Sequence, residues 1–200
     1  VISDARLFGE TPARPIVAAM ETSPPILILP GIHDSGPTHW QSLWLHQHPN
    51  MRRVAQRDWH HPVCSEWAAV LDDAVRESGP QTVLVAHSLA CLQLAHWAAT
   101  TRHRIHAAML VAVPDPEGPA FPKEATGFSG VPLQPFAFRS LVIGSSDDPY
   151  GGLPQARRCA AAWGSERIEL EGLGHINAAS GLGDWPWGLA QLERLIQAPA

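Results

Sequence analysis

The sequence predicts an α/β fold, with a mostly parallel central sheet of about six strands and helices on both faces. Three observations carry this. Short, continuous apolar runs recur along the chain, as strands buried on both faces require. Segments with apolar residues at helical spacing lie between them. Alternation of this kind implies right-handed crossovers into one parallel sheet.

The first strand is Ile26-Leu27-Ile28-Leu29, closed by Pro30-Gly31. Residues 38–48 read as a helix with Thr38 as its N-cap. Residues 53–56 form a shorter, more polar strand. Across 65–77, Trp67, Val70, Leu71, Ala74 and Val75 recur at helical spacing, and Gly79-Pro80 stops that helix. A second buried strand over 82–86 runs into an Ala- and Leu-rich helix over 89–99, and 108–113 is a third buried strand. Residues 114–137 contain six prolines and read as a long loop, of a length that is commonly functional or mobile. A fourth buried strand over 140–144, a helix over 153–163, a last strand over 167–170 and a closing helix over 186–197 complete the pattern. Residues 1–24 show no sustained period and read as a tail ahead of a single domain spanning 25–200.

Composition narrows the function. The chain has 200 residues, enough to bury a core without disulfides or a structural metal. Thirteen of its 14 basic residues are Arg, no basic stripe is visible and the net charge is −5, which argues against a nucleic-acid partner. No apolar run approaches the ~20 residues that cross a bilayer, so no membrane association is expected. Cys64, Cys91 and Cys159 are odd in number and far apart, which excludes a disulfide framework and points to a reduced, cytoplasmic setting. His33, His39, His46, His48, His60 and His61 crowd the N-terminal third. No His-x-x-x-His pair with an adjacent acid shares a helix face, so no metal site is expected from them.

Parallel sheets carry their chemistry in the loops beyond the carboxyl ends of the strands. After the second buried strand, Ala86-His87-Ser88-Leu89-Ala90 leads directly into a helix. A serine on so sharp a strand-to-helix turn is the nucleophile elbow of serine hydrolases, with Ala standing here where Gly is usual. Its plainer reading is a helix N-cap. A serine nucleophile needs a base, and the base an orienting acid, in the chain order Ser, acid, His. Asp147 and Asp148 follow the fourth buried strand, and His175 sits in a Gly-rich loop after the last one. The order fits with either aspartate. The loop after the first strand supplies the second oxyanion donor in such folds, giving the backbone N–H groups of Ile32 and Leu89 as the expected pair. His33 and His39 flank that loop and border the expected substrate pocket. His87 is expected to pack behind the elbow.

These blocks resemble the small α/β-hydrolases of the YdeN and retinoblastoma-binding-protein-nine type. The shared residues are Leu29-Pro30-Gly31, His39-Trp40-Gln41, Gln56-Arg57-Asp58-Trp59, Val85 to Leu89, Gly144 to Tyr150, Gly174-His175-Ile176-Asn177, and Ser180-Gly181 ahead of Gly183-Asp184-Trp185-Pro186. The resemblance runs from about Ile26 to the end. It implies a compact α/β-hydrolase without a large cap domain, and it selects Asp148, the aspartate directly before Pro and an aromatic residue. It also implies hydrolysis of a small-molecule carboxylic ester or an amide, with no metal or organic cofactor. Phe121, Phe128 and Phe136 of the Pro-rich loop could line an acyl pocket or anchor the loop to the core. Acyl groups of small or medium size are expected. The rival reading is a non-catalytic protein-interaction module that kept the fold, and a second is acyl transfer or a lyase reaction on the same residues. Trp40, Trp44, Trp59, Trp67 and Trp97 read as core, while Trp185 and Trp187 could form a surface patch for a protein partner.

Overall fold

A computed structural model describes residues 23–198. Of the tail expected over 1–24, all but Ser23 and Pro24 lies outside the described residues. Six strands form one parallel sheet: β1 (Ile26–Leu29), β2 (Met51–Arg53), β3 (Val83–His87), β4 (Ala107–Val111), β5 (Arg139–Ser145) and β6 (Glu166–Leu170), in the order β2-β1-β3-β4-β5-β6. Five helices cover it: α1 (Trp40–Gln47), α2 (Cys64–Ser78), α3 (Leu89–Ala98), α4 (Gly152–Trp163) and α5 (Pro186–Gln197).

Strand side chains alternate between two cores, as the pleat demands. Leu27, Leu29, Leu84, Ala86, Ala108, Leu110 and Val142 face α2, α3 and α4. Ile26, Ile28, Val83, Val85, Ala107, Met109, Leu141 and Ile143 face α1 and α5. Burial on both faces is why the strands read as unbroken apolar runs. The chain leaves β1 toward β2 and leaves β3 toward β4. The carboxyl ends of β1 and β3, which are neighbours in the sheet, therefore form the topological switch point.

Several boundaries differ from the sequence expectation for identifiable reasons. The second strand begins at Met51, which is buried and pairs with Ile26, so it ends at Arg53 instead of starting there. β4 stops at Val111 because Ala112 turns the chain with φ 58°. Helix α1 is capped by His39 rather than Thr38, with the imidazole Nδ1 accepting the Gln41 N–H at 3.2 Å. The Pro-rich stretch 114–137 has no long element, as expected, but it is pinned to its neighbours. Phe128 is fully buried against Trp67, Phe136 stacks on Trp163 with centroids 5.0 Å apart, and Thr126 exchanges backbone hydrogen bonds with Pro62 and Cys64. Trp185 is buried beside Trp40 and Trp44, so it does not form a surface patch with the exposed Trp187. Trp59 is only partly buried, unlike the other tryptophans assigned to the core.

Candidate active site

Ser88 sits at the end of β3 with φ 57° and ψ −126°, a backbone conformation that a residue with a side chain adopts at a cost. Its N–H donates to Val111 O at 2.9 Å, so the turn is braced by β4. The flanking Ala86 and Ala90 are both fully buried, which is why small residues are needed there. Gly31 meets the turn from the end of β1. A Cβ on Gly31 would stand 2.9 Å from Ser88 Cβ and 3.2 Å from His87 O, so only glycine lets the two loops approach this closely.

Ser88 makes no capping bond to its helix. Its Oγ lies 2.7 Å from His175 Nε2, which removes the plain N-cap reading. His175 Nδ1 lies 2.8 and 2.9 Å from the two Asp148 oxygens. All three side chains are buried, with residue exposures of 8–9 %. The Tyr150 N–H donates to Asp148 Oδ1 at 3.0 Å, and the Tyr150 ring packs on His175 at 4.5 Å between centroids. Asp147 is turned away from His175. Its Oδ1 accepts from Ser145 Oγ at 2.8 Å and from the Gly174 N–H at 2.7 Å, and these two bonds hold its carboxyl below the ordinary carboxylate value. Asp148 thus meets the imidazole, and Asp147 ties down the loop that carries it.

Ser88 opens onto a cleft of about 540 Å³, inside the range that holds small ligands. Its lining combines apolar residues, Ile32, Leu89, Ala120 and Phe121 among them, with the polar His33, Asp34, His39 and Asn177. Ile32, Leu89, His33, His39 and Phe121 all lie at this cleft. Among the described residues neither the Ile32 nor the Leu89 N–H is given to a protein acceptor. Phe128 and Phe136 do not reach the cleft, because they anchor the loop instead. Pro114 and Ala120 come from the Pro-rich stretch, whereas Tyr150 and Asn177 are walls that no sequence signal singles out, beyond the Asp-Pro-Tyr run for the first.

The His39-Trp40-Gln41 block acquires a physical meaning at the switch point. The fully buried Gln41 side chain donates to Leu29 O and Val85 O, both at 3.2 Å, and accepts from Ser35 Oγ at 2.7 Å. It stitches together the ends of the two strands that carry Gly31 and Ser88. Arg53 pairs with Asp34 and bonds Ser42 Oγ at 2.7 Å, bracing the same loop. At the rim, His33 Nδ1 and His60 Nδ1 lie 3.1 Å apart. Among the described residues no group of three or more His, Cys, Asp or Glu side chains is placed to hold a metal ion. Cys64, Cys91 and Cys159 are buried, and burial pushes their thiols up, to about 12 for Cys64 and Cys159, so none is a competing nucleophile. No helix among the described residues is long and apolar enough to cross a membrane.

Burial keeps two imidazoles beside the site neutral. His39 is pushed down from 6.5 to about 4, chiefly by desolvation, and His87 is pushed well below 6.5 by the same cause. Unfolding frees both to take protons below about pH 6.5, so the unfolded chain gains as pH falls from there toward 4. Stability is thus fully present above about 6.5 and declines below it. Between urea unfolding at pH 7 and at pH 5.5, His39 is expected to account for about 1 kcal/mol of lost stability, and His87 adds in the same direction. His39→Gln is expected to remove its share. An unchanged pH dependence in that variant would contradict a neutral, buried His39.

A parallel six-stranded sheet with a serine elbow, a histidine and an aspartate at its carboxyl edge defines the α/β-hydrolase class. Comparison with family models places the chain more narrowly. The model described as Serine hydrolase matches residues 26–194, and the chain belongs to that family. It is a small α/β serine hydrolase of the YdeN type. A YdeN-like hydrolase from Pectobacterium atrosepticum superposes with a TM-score of 0.77 at 28% identity, covering 86% of this chain and 90% of that one. The ydeN gene product of Bacillus subtilis gives 0.73 at 18% identity, covering 88% and 100%. The esterase RhEst1 from Rhodococcus gives 0.64 at 13% identity, covering 88% and 91%. The latter two are likenesses of fold. No curated protein matches the chain.

Proposed function

We propose that this hydrolase is a serine esterase that cleaves small-molecule carboxylic esters of small or medium acyl group through an acyl-enzyme. The reading is carried by one observation: Ser88 Oγ, His175 Nε2 and the Asp148 carboxylate are joined by hydrogen bonds of 2.7 to 2.9 Å. Ser88 Oγ attacks the ester carbonyl while His175 Nε2 takes its proton. Asp148 accepts from Nδ1–H, holds the ring in the tautomer that leaves Nε2 free to accept, and stabilises the imidazolium. The N–H groups of Ile32 and Leu89 stabilise the tetrahedral oxyanion, a contribution typically worth about 10²–10³ in rate for one donor. The imidazolium returns its proton to the leaving alkoxide, and the alcohol departs. Water, deprotonated by His175, then releases the acid and restores Ser88. Water is the only co-reactant.

Support for the acyl limit comes from the size of the cleft: about 540 Å³, with Leu89, Ala120 and Phe121 in its lining, must hold both halves of the substrate. A p-nitrophenyl ester series tests both statements. Acetate to hexanoate esters are expected to turn over with a nitrophenol burst, and decanoate poorly. Folded protein that hydrolyses none of them would overturn the ester reading. Efficient transfer of the acyl group to added alcohols at the expense of acid would replace hydrolysis by acyl transfer.

A further inference from the structure

The base reaches Ser88 from a loop, so something must fix that loop to the elbow. Its backbone is irregular: Gly172, Gly174 and Ile176 all have positive φ, and for Ile176 the value is 47°. Two successive carbonyls of the loop accept from buried ring N–H groups. His87 Nε2–H donates to His175 O at 2.9 Å, and Trp40 Nε1–H donates to Ile176 O at 2.9 Å. His87 is 5% exposed and Trp40 1%. Because a carbonyl only accepts, His87 carries its proton on Nε2, and its burial keeps the ring uncharged beside His175. The rings form a continuous pile. Centroids lie 5.0 Å apart for His87 and His175, 6.0 Å for Trp40 and His87, and 5.0 Å for Trp40 and Trp185.

We infer that His87 and Trp40 are positioning residues, a two-donor clamp on the carbonyls of His175 and Ile176 that sets where the base stands. His87 adjoins Ser88 in the chain, so its bond ties the base loop to the nucleophile through a single peptide link. Trp40 fixes the next carbonyl from α1 and settles the direction in which the loop leaves. An error of about 1 Å at such a base can cost on the order of 10² in rate. This inference rests on the reading of Ser88 as nucleophile and His175 as base.

Three variants of the full chain test it. Trp40→Phe removes a donor and keeps most of the ring. His87→Leu removes the other donor. His87→Gln keeps an N–H at a similar reach. With active sites counted by fluorophosphonate titration, Trp40→Phe and His87→Leu are expected to lose about 10- to 100-fold in kcat per site, with KM within about twofold. His87→Gln is expected to recover most of that loss. Peptide-resolved hydrogen exchange over 172–178 is expected to quicken in the first two variants and not in His87→Gln. Wild-type kcat per site in His87→Leu and Trp40→Phe, or unchanged exchange, overturns the clamp. Fewer active sites of normal kcat would show a merely structural role and also overturn it. If the wild type itself neither turns over esters nor takes the label, the reading beneath has failed. The exchange measurement then still decides whether the two donors hold the loop.

Discussion

Ser88→Ala is expected to lower ester turnover by about 10⁴- to 10⁶-fold while leaving the protein folded. The loss is large because the nucleophile, its base and the orienting acid act as one unit, so removing one member forfeits the work of all. The backbone adds a second expectation. Ser88 is held at φ 57° and ψ −126°, where a Cβ is strained by about 1–3 kcal/mol. Ser88→Ala keeps that Cβ, and Ser88→Gly removes it. Glycine gives part of the gain back through its freer unfolded state. The net expectation is that Ser88→Gly is more stable than Ser88→Ala by roughly 1 kcal/mol and so melts at a higher temperature, with both equally inactive. Thermal melts and turnover on the pair check this. A Ser88→Gly protein less stable than Ser88→Ala would contradict a strained elbow.

The second large effect separates two adjacent aspartates. Asp148→Asn is expected to lower kcat about 10⁴-fold, because an amide can donate to Nδ1 and stabilise the wrong tautomer of His175. Asp147→Asn is expected to keep activity within about tenfold of wild type, since Asp147 bonds Ser145 and the Gly174 N–H and does not meet the imidazole. Its cost is expected in the melting temperature, through a looser His175 loop. Steady-state kinetics on the two variants decides. Equal losses in both would mean that the acids share the role, and a larger loss in Asp147→Asn would reverse the assignment.

Much of this arrangement is legible in the sequence because parallel strands buried on both faces write themselves as short apolar runs. The loops after those runs all emerge on one edge. Ser88, Asp148 and His175 could therefore be gathered from positions far apart in the chain, although only the family resemblance selected Asp148 over Asp147. What was not legible depends on contacts that no local pattern encodes. Thr38 has the better side chain for a cap, yet His39 caps α1 because its ring is buried with Nδ1 toward the Gln41 N–H. Phe128 and Phe136 look no different from Phe121, and only packing against Trp67 and Trp163 separates anchors from cleft wall. Trp185 neighbours the exposed Trp187 in sequence but is drawn in beside Trp40, above a glycine whose Cβ would stand 2.2 Å from its ring. The two donors to the His175 loop span 88 and 136 residues of chain, so the His87 and Trp40 bonds appear only once the fold has closed.

Fluorophosphonate labelling of the folded protein, read by intact mass and peptide mapping, reports whether Ser88 is an activated nucleophile. An activated serine in an oxyanion site reacts with the reagent, and an ordinary hydroxyl does not. One adduct per chain is expected, on Ser88, abolished in Ser88→Ala and in His175→Ala. A folded, unlabelled protein, or an adduct on any other residue, would contradict it.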